Sequence, residues 1–510
     1  MTAVPVDGTA RTGVAARLIA FLTVYFVLQA VLRLLAVSSL GLDDAEMVVI
    51  TQALAPGYGS QPPLYNWLQI GAFAVLGFGA PAIVVLHFVL LWAVYVLVFL
   101  SARIVLDDEV KAAGVSLALF AIPQIGWEAL HSHTHTLLSL TLAAATLLAM
   151  LRVLADGRWL DYLVLGVCFA LGTLAKYSYV PFAAALVIAA ATVPGLRQRI
   201  FSPRMVAAIV LALILLAPHL DWVSAHMSET LSRTSKFGID GDAGLAAAWL
   251  RGLAAMAIGV LGYVALSLAV FAAATFLPLR GGGRSGAPER ASSGLPNGRT
   301  FVLRVLMVAL ALVLIAVLAT RATEVKERWL QPVLFLLPLA LMIIAEPRLD
   351  RVRERLLIAL SAGIGAMFMV ALSVAYFFPD LHGGPLRASA PFGALAHDIR
   401  KLGFEKGYVL AENHYIAGNL LLHLQGMTVA EPEYGLWPLA EGGSREPVLL
   451  VWSGRRDRPP KALRALFGEL CGRDALGEPE PVRLSAPYEH ATKRHYELKV
   501  AVVQDCPAGP

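Results

Sequence analysis

Charge is scarce in this chain. Asp, Glu, Lys and Arg together make up 15% of its 510 residues, while 58% are hydrophobic. With a mean hydropathy of +0.68, this excludes an ordinary soluble protein, whose apolar share lies at about 45–50%. Cysteine is scarcer still. Cys168, Cys471 and Cys506 are the whole complement, and three such residues build neither a disulfide framework nor a cysteine-rich zinc site. A continuous basic block is also missing. The net charge is +5, but the arginines behind it fall in short clusters between apolar runs. That pattern belongs to the loops of a membrane protein, so nucleic acid is not expected as a partner.

Long hydrophobic runs, by contrast, are plentiful. A helix needs roughly 20 apolar residues to cross a bilayer. Runs of this kind, bounded by charge or by Pro and Gly, stand at 16–37, 80–105, 112–127, 134–152, 159–175, 178–193, 204–220, 246–279, 301–320, 330–345 and 356–378. They predict an all-α polytopic membrane domain over residues 1–379 with about eleven transmembrane helices. The first run is too long for a secretory signal and lacks a clear small-residue cleavage site, so it reads as an uncleaved anchor. Lys and Arg are concentrated in alternate loops: Arg11 and Arg17, Arg103 and Lys111, Arg152 and Arg158, Arg197 to Arg204, Arg280 to Arg304, and Arg348 to Arg355. The positive-inside rule makes that side and the N-terminus cytoplasmic. An odd number of spans then leaves residues 380–510 on the other side, the periplasm of a bacterial inner-membrane protein.

Two stretches depart from the apolar pattern. Residues 280–300, rich in Gly, Ser, Pro and Arg, read as a flexible cytoplasmic linker. From 380 onward the composition becomes ordinary. GYVLAENHYIAGNLLLHL reads strand then helix, and VLLVWSG and YELKVAVV read as strands, so a small periplasmic α/β domain is expected. Cys471 and Cys506 fall in it on the oxidising side, either as a disulfide or as two separate thiols. Cys168 lies within a span and reads as a small buried hydrophobe.

The first loop, 38–79, carries the densest chemistry. Asp43, Asp44 and Glu46 follow the first span directly, where carboxylates are expensive to hold beside hydrocarbon unless they are used. They could act as a general base or as ligands to a divalent cation. They could equally open a helix, with an Asp as cap and Glu46 favouring the dipole. Gln61-Pro62-Pro63-Leu64-Tyr65-Asn66-Trp67 then starts an interfacial helix, its prolines fixing entry and its aromatics favouring the headgroup level.

Further along, Lys176 in Leu-Ala-Lys-Tyr sits at the outer ends of two spans, to bind phosphate or to snorkel. Arg328 in Arg-Trp-Leu-Gln-Pro, with Lys326 behind it, can grip a phosphate through two nitrogens or simply end a helix beside Trp329. In GWEALHSHTHTLL a helix would put Glu128, His131 and His135 on one face, with His133 elsewhere. Such a face suits a divalent metal or a phosphate, although alternate histidines also occur as polar loop residues. The loop 219–246, with His219, Asp221, Trp222, Arg233 and Lys236, reads as a lid. In AENHYIAGN, Glu412, Asn413, His414, Tyr415 and Asn419 either contact an acceptor or cap a strand-to-helix turn, and the cap is the favoured reading.

The acidic pair after the first span, the PPLY-x-W segment, the Leu-Ala-Lys-Tyr of 174–177 and the Arg-Trp-Leu-Gln-Pro of 328–332 together resemble the membrane glycosyltransferases of the GT-C class. Within that class they are most similar to the protein mannosyltransferase and lipid A aminoarabinose transferase group, especially its rhizobial lipopolysaccharide galacturonosyltransferases. The resemblance covers roughly residues 15–345 and is weak over the C-terminal domain. It implies a helical GT-C fold with juxtamembrane helices and a sugar donor carried on a polyprenyl phosphate.

Residue by residue, it implies Asp43 as the base and Asp44 as the second acid, and leaves Glu46 without a firm role. Lys176 falls near the lipid phosphate, with Arg328 and Lys326 as further cations. Gln61 stands where one branch carries Lys, so it offers hydrogen bonds but no charge. Tyr65, Tyr177 and Gln331 join Gln61, Glu128, His131 and His135 as donor- or acceptor-binding candidates. No cofactor is certain; a divalent cation is a candidate, with Asp44, Glu128 and His135 as weak ligands.

The expected activity is transfer of a sugar from the polyprenyl-phosphate donor to lipid A, lipopolysaccharide core or a related envelope glycan. The alternatives are a lipid-sugar transporter or flippase and a non-catalytic envelope-assembly protein. A transporter would concentrate its charges near the bilayer midplane, whereas here they cluster at the outer ends of helices.

Overall fold

The computed structural model describes residues 8–232, 238, 244–278, 295–325, 327–436, 446–471 and 480–504. They form two compact units: one of Met1–Val27, Pro56–Leu64 and Phe88–Phe368, the other of Leu28–Ala55, Tyr65–His87 and Met369–Pro510.

Every expected span falls on an apolar helix. Among the described residues eight helices are long and apolar enough to cross a membrane: Gly13–Ala36, Ala80–Leu106, Thr134–Ala155, Pro203–Ala225, Leu245–Phe276, Gly298–Thr320, Gln331–Arg348 and Arg351–Phe377. The chain is a multi-pass membrane protein. Three expected spans come out differently. The run 112–127 is a pair, Glu109–Ala121 and Pro123–Leu130, bent by 84°. Pro123 has no N–H to continue the first helix and holds Ile122 extended, at φ −101° and ψ 106°, which forces the break. The runs 159–175 and 178–193 are the shorter helices Trp159–Ala175 and Tyr177–Thr192, separated by Lys176 in an extended conformation. Within the helical unit Thr134–Ala155 is the most enclosed span, with 83% of its apolar window buried against 22% for Pro203–Ala225. Its N-terminus carries the polar residues described below.

The second unit is built on a five-stranded sheet. Strands β1 (Tyr408–Ala411), β2 (Thr428–Ala430), β3 (Val448–Ser453), β4 (Val482–Tyr488) and β5 (Ala491–Val503) lie in the order β2-β1-β3-β5-β4. β1 is parallel to β2 and to β3, while β5 is antiparallel to β3 and β4. Alternate strand residues face opposite layers. Leu410, Leu450 and Trp452 meet Leu463, Leu466, Phe467 and Leu470 of helix Lys461–Cys471, whose i, i+3, i+4, i+7 spacing gives one apolar stripe. Val409, Ala411, Leu449 and Val451 meet helices Phe392–Lys401 and His414–His423 and, from the first loop, Ala45, Val48 and Val49. The first loop thus supplies part of the core beneath the sheet. The strand and helix expected at 407–424 and the strands at 448–453 and 496–503 are present. β2, β4 and the helix Lys461–Cys471 were not foreseen.

Cys168 is a free, buried thiol. Cys471 is disulfide-bonded; Cys506 lies outside the described residues, as do the greater part of the 280–300 linker and the lid residues Arg233 and Lys236.

Candidate active site

The three acids of the first loop open the helix Leu42–Ile50. Asp43 and Asp44 occupy its first turn, and Gly41 before them makes no side-chain cap. Carboxylates there meet the positive end of the helix dipole. Their neighbours then separate the three. Asp44 forms a buried ion pair with Arg33, the two side chains being 2% and 4% exposed. Arg33 Nη1 and Asp44 Oδ1 have no hydrogen-bond partner among the described residues, and the hydroxyls of Tyr65 and Tyr376 lie within electrostatic range of the pair. Glu46, two residues on, accepts a hydrogen bond from Tyr434 Oη at 2.5 Å and lies within electrostatic range of His414. Asp43 is the half-buried member of the trio and lies within range of the Tyr65 hydroxyl.

Sequence reading missed Arg33. The signal was there: a lone arginine inside the last turn of an apolar span, a place where charge survives only with a partner.

The loop is held at both ends. Asn419 Oδ1 accepts from the Leu40 N–H at 2.7 Å, and its Nδ2 donates to the Leu40 carbonyl at 3.3 Å, three residues before Asp43. At the far end Gln52 donates to the Val429 carbonyl at 2.8 Å and accepts from the Val429 N–H at 2.9 Å, completing the exposed edge of β2. Gly418 lies where a Cβ would strike the Ala45 carbonyl, so the helices Leu42–Ile50 and His414–His423 approach backbone to backbone. In the same polar patch Asn413 caps its helix by accepting from the Ile416 N–H at 3.1 Å, and Glu412 accepts from the Ser453 N–H and from Arg456.

The helical unit holds the cations. Lys176 Nζ donates to Thr136 Oγ1 at 2.5 Å, at the start of helix Thr134–Ala155. His135 Nδ1 lies 3.3 Å from the Ala175 carbonyl. An anion near Lys176 would meet the ammonium and the helix N-terminus together. Arg328 is half-buried in the short turn Glu327–Trp329. Glu128 interacts electrostatically with Glu327 and Arg328, and Gln124 donates to Glu327. Gln331 is buried and ties its amide nitrogen to the Gln124 carbonyl at 3.1 Å. Lys326 lies outside the described residues.

The single helical face expected for Glu128, His131 and His135 is not formed. Glu128–Leu130 is a 3₁₀ turn, His131 and Ser132 lie outside any helix, and His133 takes a left-handed φ of 80° before the next helix begins at Thr134. That reversal breaks the 3.6-residue period and turns His133 toward Glu128, with Nε2 and Oε2 3.7 Å apart. The metal candidates are engaged elsewhere: Asp44 with Arg33, Glu128 with His133, His135 with a backbone carbonyl. Among the described residues no three His, Cys, Asp or Glu side chains converge as a metal site.

Gln61 is half-buried and closes a tight turn with Tyr58 through two backbone hydrogen bonds of 3.1 and 3.3 Å. His219 Nδ1 lies 2.7 Å from the Pro56 carbonyl; this nitrogen therefore carries the proton, and Nε2 accepts from Tyr177 Oη at 3.0 Å. Tyr177, His219, Trp222 and His226 continue as a near-parallel stack, with Gly57 against the Trp222 ring. Tyr177 and the supposed lid residues His219 and Trp222 therefore anchor the start of the proline segment.

Known proteins agree with this architecture. Residues 60–222 match the family described as dolichyl-phosphate-mannose-protein mannosyltransferase. The chain is 32% identical over 481 residues to the lipopolysaccharide core galacturonosyltransferase RgtB of Rhizobium johnstonii, covering 92% of this chain and 93% of that protein. It is also 32% identical to RgtA of the same organism, over 85% of this chain and 86% of the relative. Its fold is similar to ArnT from Cupriavidus metallidurans bound to undecaprenyl phosphate, with a TM-score of 0.62 over 98% of this chain and 99% of that one at 14% identity. Helical spans, C-terminal sheet unit and sequence thus point one way: the chain belongs to the GT-C membrane glycosyltransferases of the protein mannosyltransferase type, in the family of the rhizobial lipopolysaccharide core galacturonosyltransferases.

Proposed function

We propose that this protein resides in a bacterial inner membrane and transfers a sugar, a galacturonic acid by analogy with RgtA and RgtB, from a polyprenyl-phosphate donor to lipid A or lipopolysaccharide core facing the periplasm. The observation that carries the catalytic assignment is the separation of the first-loop acids: Asp44 is committed to Arg33 and Glu46 to Tyr434, while Asp43 is the more exposed acid.

In the reaction an acceptor hydroxyl oxygen attacks the anomeric carbon of the donor. The bond from that carbon to the phosphate oxygen breaks, and the electron pair leaves with the lipid phosphate. Asp43 takes the hydroxyl proton as general base. The leaving group is an anion whose charge rises in the transition state, and Lys176 and Arg328 hold it. Lys176 is supported by the helix N-terminus beside it. Arg328 is supported by its planar fork, although Glu128 competes for it. Gln61 remains the candidate for reading the sugar hydroxyls, whereas Tyr65 is fully buried beside the Arg33–Asp44 pair.

The deciding experiment uses membranes supplied with donor and acceptor. Asp43→Asn should abolish transfer at unchanged protein level, and full activity of that variant would remove Asp43 from the mechanism. Lys176→Ala and Arg328→Ala should raise the donor KM; a donor KM equal to that of the unaltered protein would refute their role.

A further inference from the structure

The sheet-bearing unit contains a cavity of about 500 Å³ that the transfer chemistry does not use. Four segments line it: the turn after the last span (His382, Gly384), the turn after β3 (Arg455), the tip of the β4–β5 hairpin (Tyr488) and the start of β5 (Arg494, His495). The lining holds two arginines and two histidines and no carboxylate. Two nearby acids are occupied elsewhere: Glu489 accepts from the Ser38 N–H and hydroxyl, and Glu412 from Arg456.

The glycines of this turn are part of the construction. Gly384 has φ +148°, and a Cβ there would collide with Arg494 Nη1, while Arg494 also donates to the Gly383 carbonyl at 3.5 Å. The turn thus seats one guanidinium against bare backbone, leaving its remaining N–H groups for a ligand. Arg455 has no ion-pair or side-chain hydrogen-bond partner among the described residues. The place is also informative. The last span ends at Phe377, whose ring packs 5.0 Å from His490 at the hairpin tip. Phe378 and Leu381 are 59% and 79% exposed, so large apolar side chains face outward in the turn leading into the cavity. Apolar anchors beside cations mark the headgroup level of a bilayer.

We infer that this cavity binds a phosphate group on the sugar headgroup of the lipid-anchored acceptor, with Arg455 and Arg494 as its two grips. The inference rests on the proposed transfer to an envelope glycolipid. Guanidinium groups suit such oxygens through paired hydrogen bonds, and an open pocket of about 500 Å³ has room for a phosphorylated sugar.

The test is a binding titration of the purified full-length protein in detergent with lipid A bearing both phosphates and with lipid A stripped of them. Arg455→Gln and Arg494→Gln should each weaken binding of the phosphorylated form about tenfold, with the melting temperature unchanged because both side chains are exposed. Gly384→Ala keeps every charge but displaces the Arg494 guanidinium, and should weaken binding in the same direction. The stripped lipid should bind the unaltered protein and the variants alike. Equal affinity of all variants for phosphorylated lipid A would overturn the inference. So would competition by sub-millimolar inorganic phosphate, which would make this a free-anion site, or by phosphatidylglycerol micelles as effectively as by lipid A. Phosphate-dependent binding without any sugar transfer would refute the proposed function while leaving this site standing.

Discussion

At the scale of single residues, the decisive fact is that neighbouring aspartates have different surroundings. Asp44 is buried against Arg33, and each has one unsatisfied polar atom. Removing one partner of such a pair leaves an uncompensated buried charge, which costs about 3–5 kcal/mol. Asp44→Ala should therefore lower the melting temperature of the purified protein strongly. Asp43→Asn should leave it nearly unchanged while reducing transfer by at least about 100-fold. A thermal melt and a transfer assay on both variants check this; equal destabilisation by the two would refute the division of labour. The acidic cluster was legible in the sequence as a cluster, and even its helix-opening role was weighed. The division was not legible, because it depends on Arg33, which only the turn between span and loop brings to Asp44. The histidine segment failed for a similar reason: the left-handed break at His133 has no Gly or Pro to announce it, so the 3.6-residue period was carried through a position where the chain reverses.

At the scale of elements, the helix bearing Asp43 is set by the sheet domain. Asn419 holds the Leu40 backbone and Gln52 the edge of β2. The sequence made the AENHYIAGN patch look like a helix cap, and Asn413 is one. Asn419, the last residue of the same patch, instead reaches a residue 379 positions away, a contact that no local pattern encodes. Asn419→Ala would leave two buried backbone groups without partners, at about 1–3 kcal/mol each. As a positioning residue it should lower kcat while the donor KM stays put; a change confined to the melting temperature would make its role merely structural.

The same elements predict a pH response. Burial pulls the His414 pKa down, but the hydrogen bond to Glu433 and the charges of Glu46, Glu431 and Glu433 outweigh it, so the net shift is upward. A raised folded-state pKa gives stability that is fully present below the ordinary imidazole value and is lost as pH rises through the folded value. Glu431, raised by burial first, acts with the same sign at lower pH. The melting temperature should accordingly fall from pH 6 toward pH 8, and His414→Gln should flatten that slope. An unchanged slope in the variant would assign the response elsewhere.

At the scale of the whole molecule, the apolar spans were legible because the bilayer imposes a length that any hydropathy window detects. The bend at Pro123 and the shortness of Trp159–Ala175 were less so, since both depend on how helices break. What hydropathy alone does not give is direction. The proposed chemistry needs Asp43, the cationic cavity and the sheet domain opposite the Arg-rich loops, which is the expectation from the positive-inside rule with the odd number of spans read from the sequence. Two exposed positions test it. Asp156 follows helix Thr134–Ala155 beside Arg152 and Arg158, and Glu405 precedes β1. The native thiols give little background, Cys168 being buried and Cys471 disulfide-bonded. In intact spheroplasts a membrane-impermeant maleimide should label Glu405→Cys and spare Asp156→Cys, with both labelled after permeabilisation. The reverse pattern would put the base and the cavity on the cytoplasmic side, where neither could meet a periplasm-facing acceptor. The proposed acceptor would then fall, even if Asp43 proved to be the base.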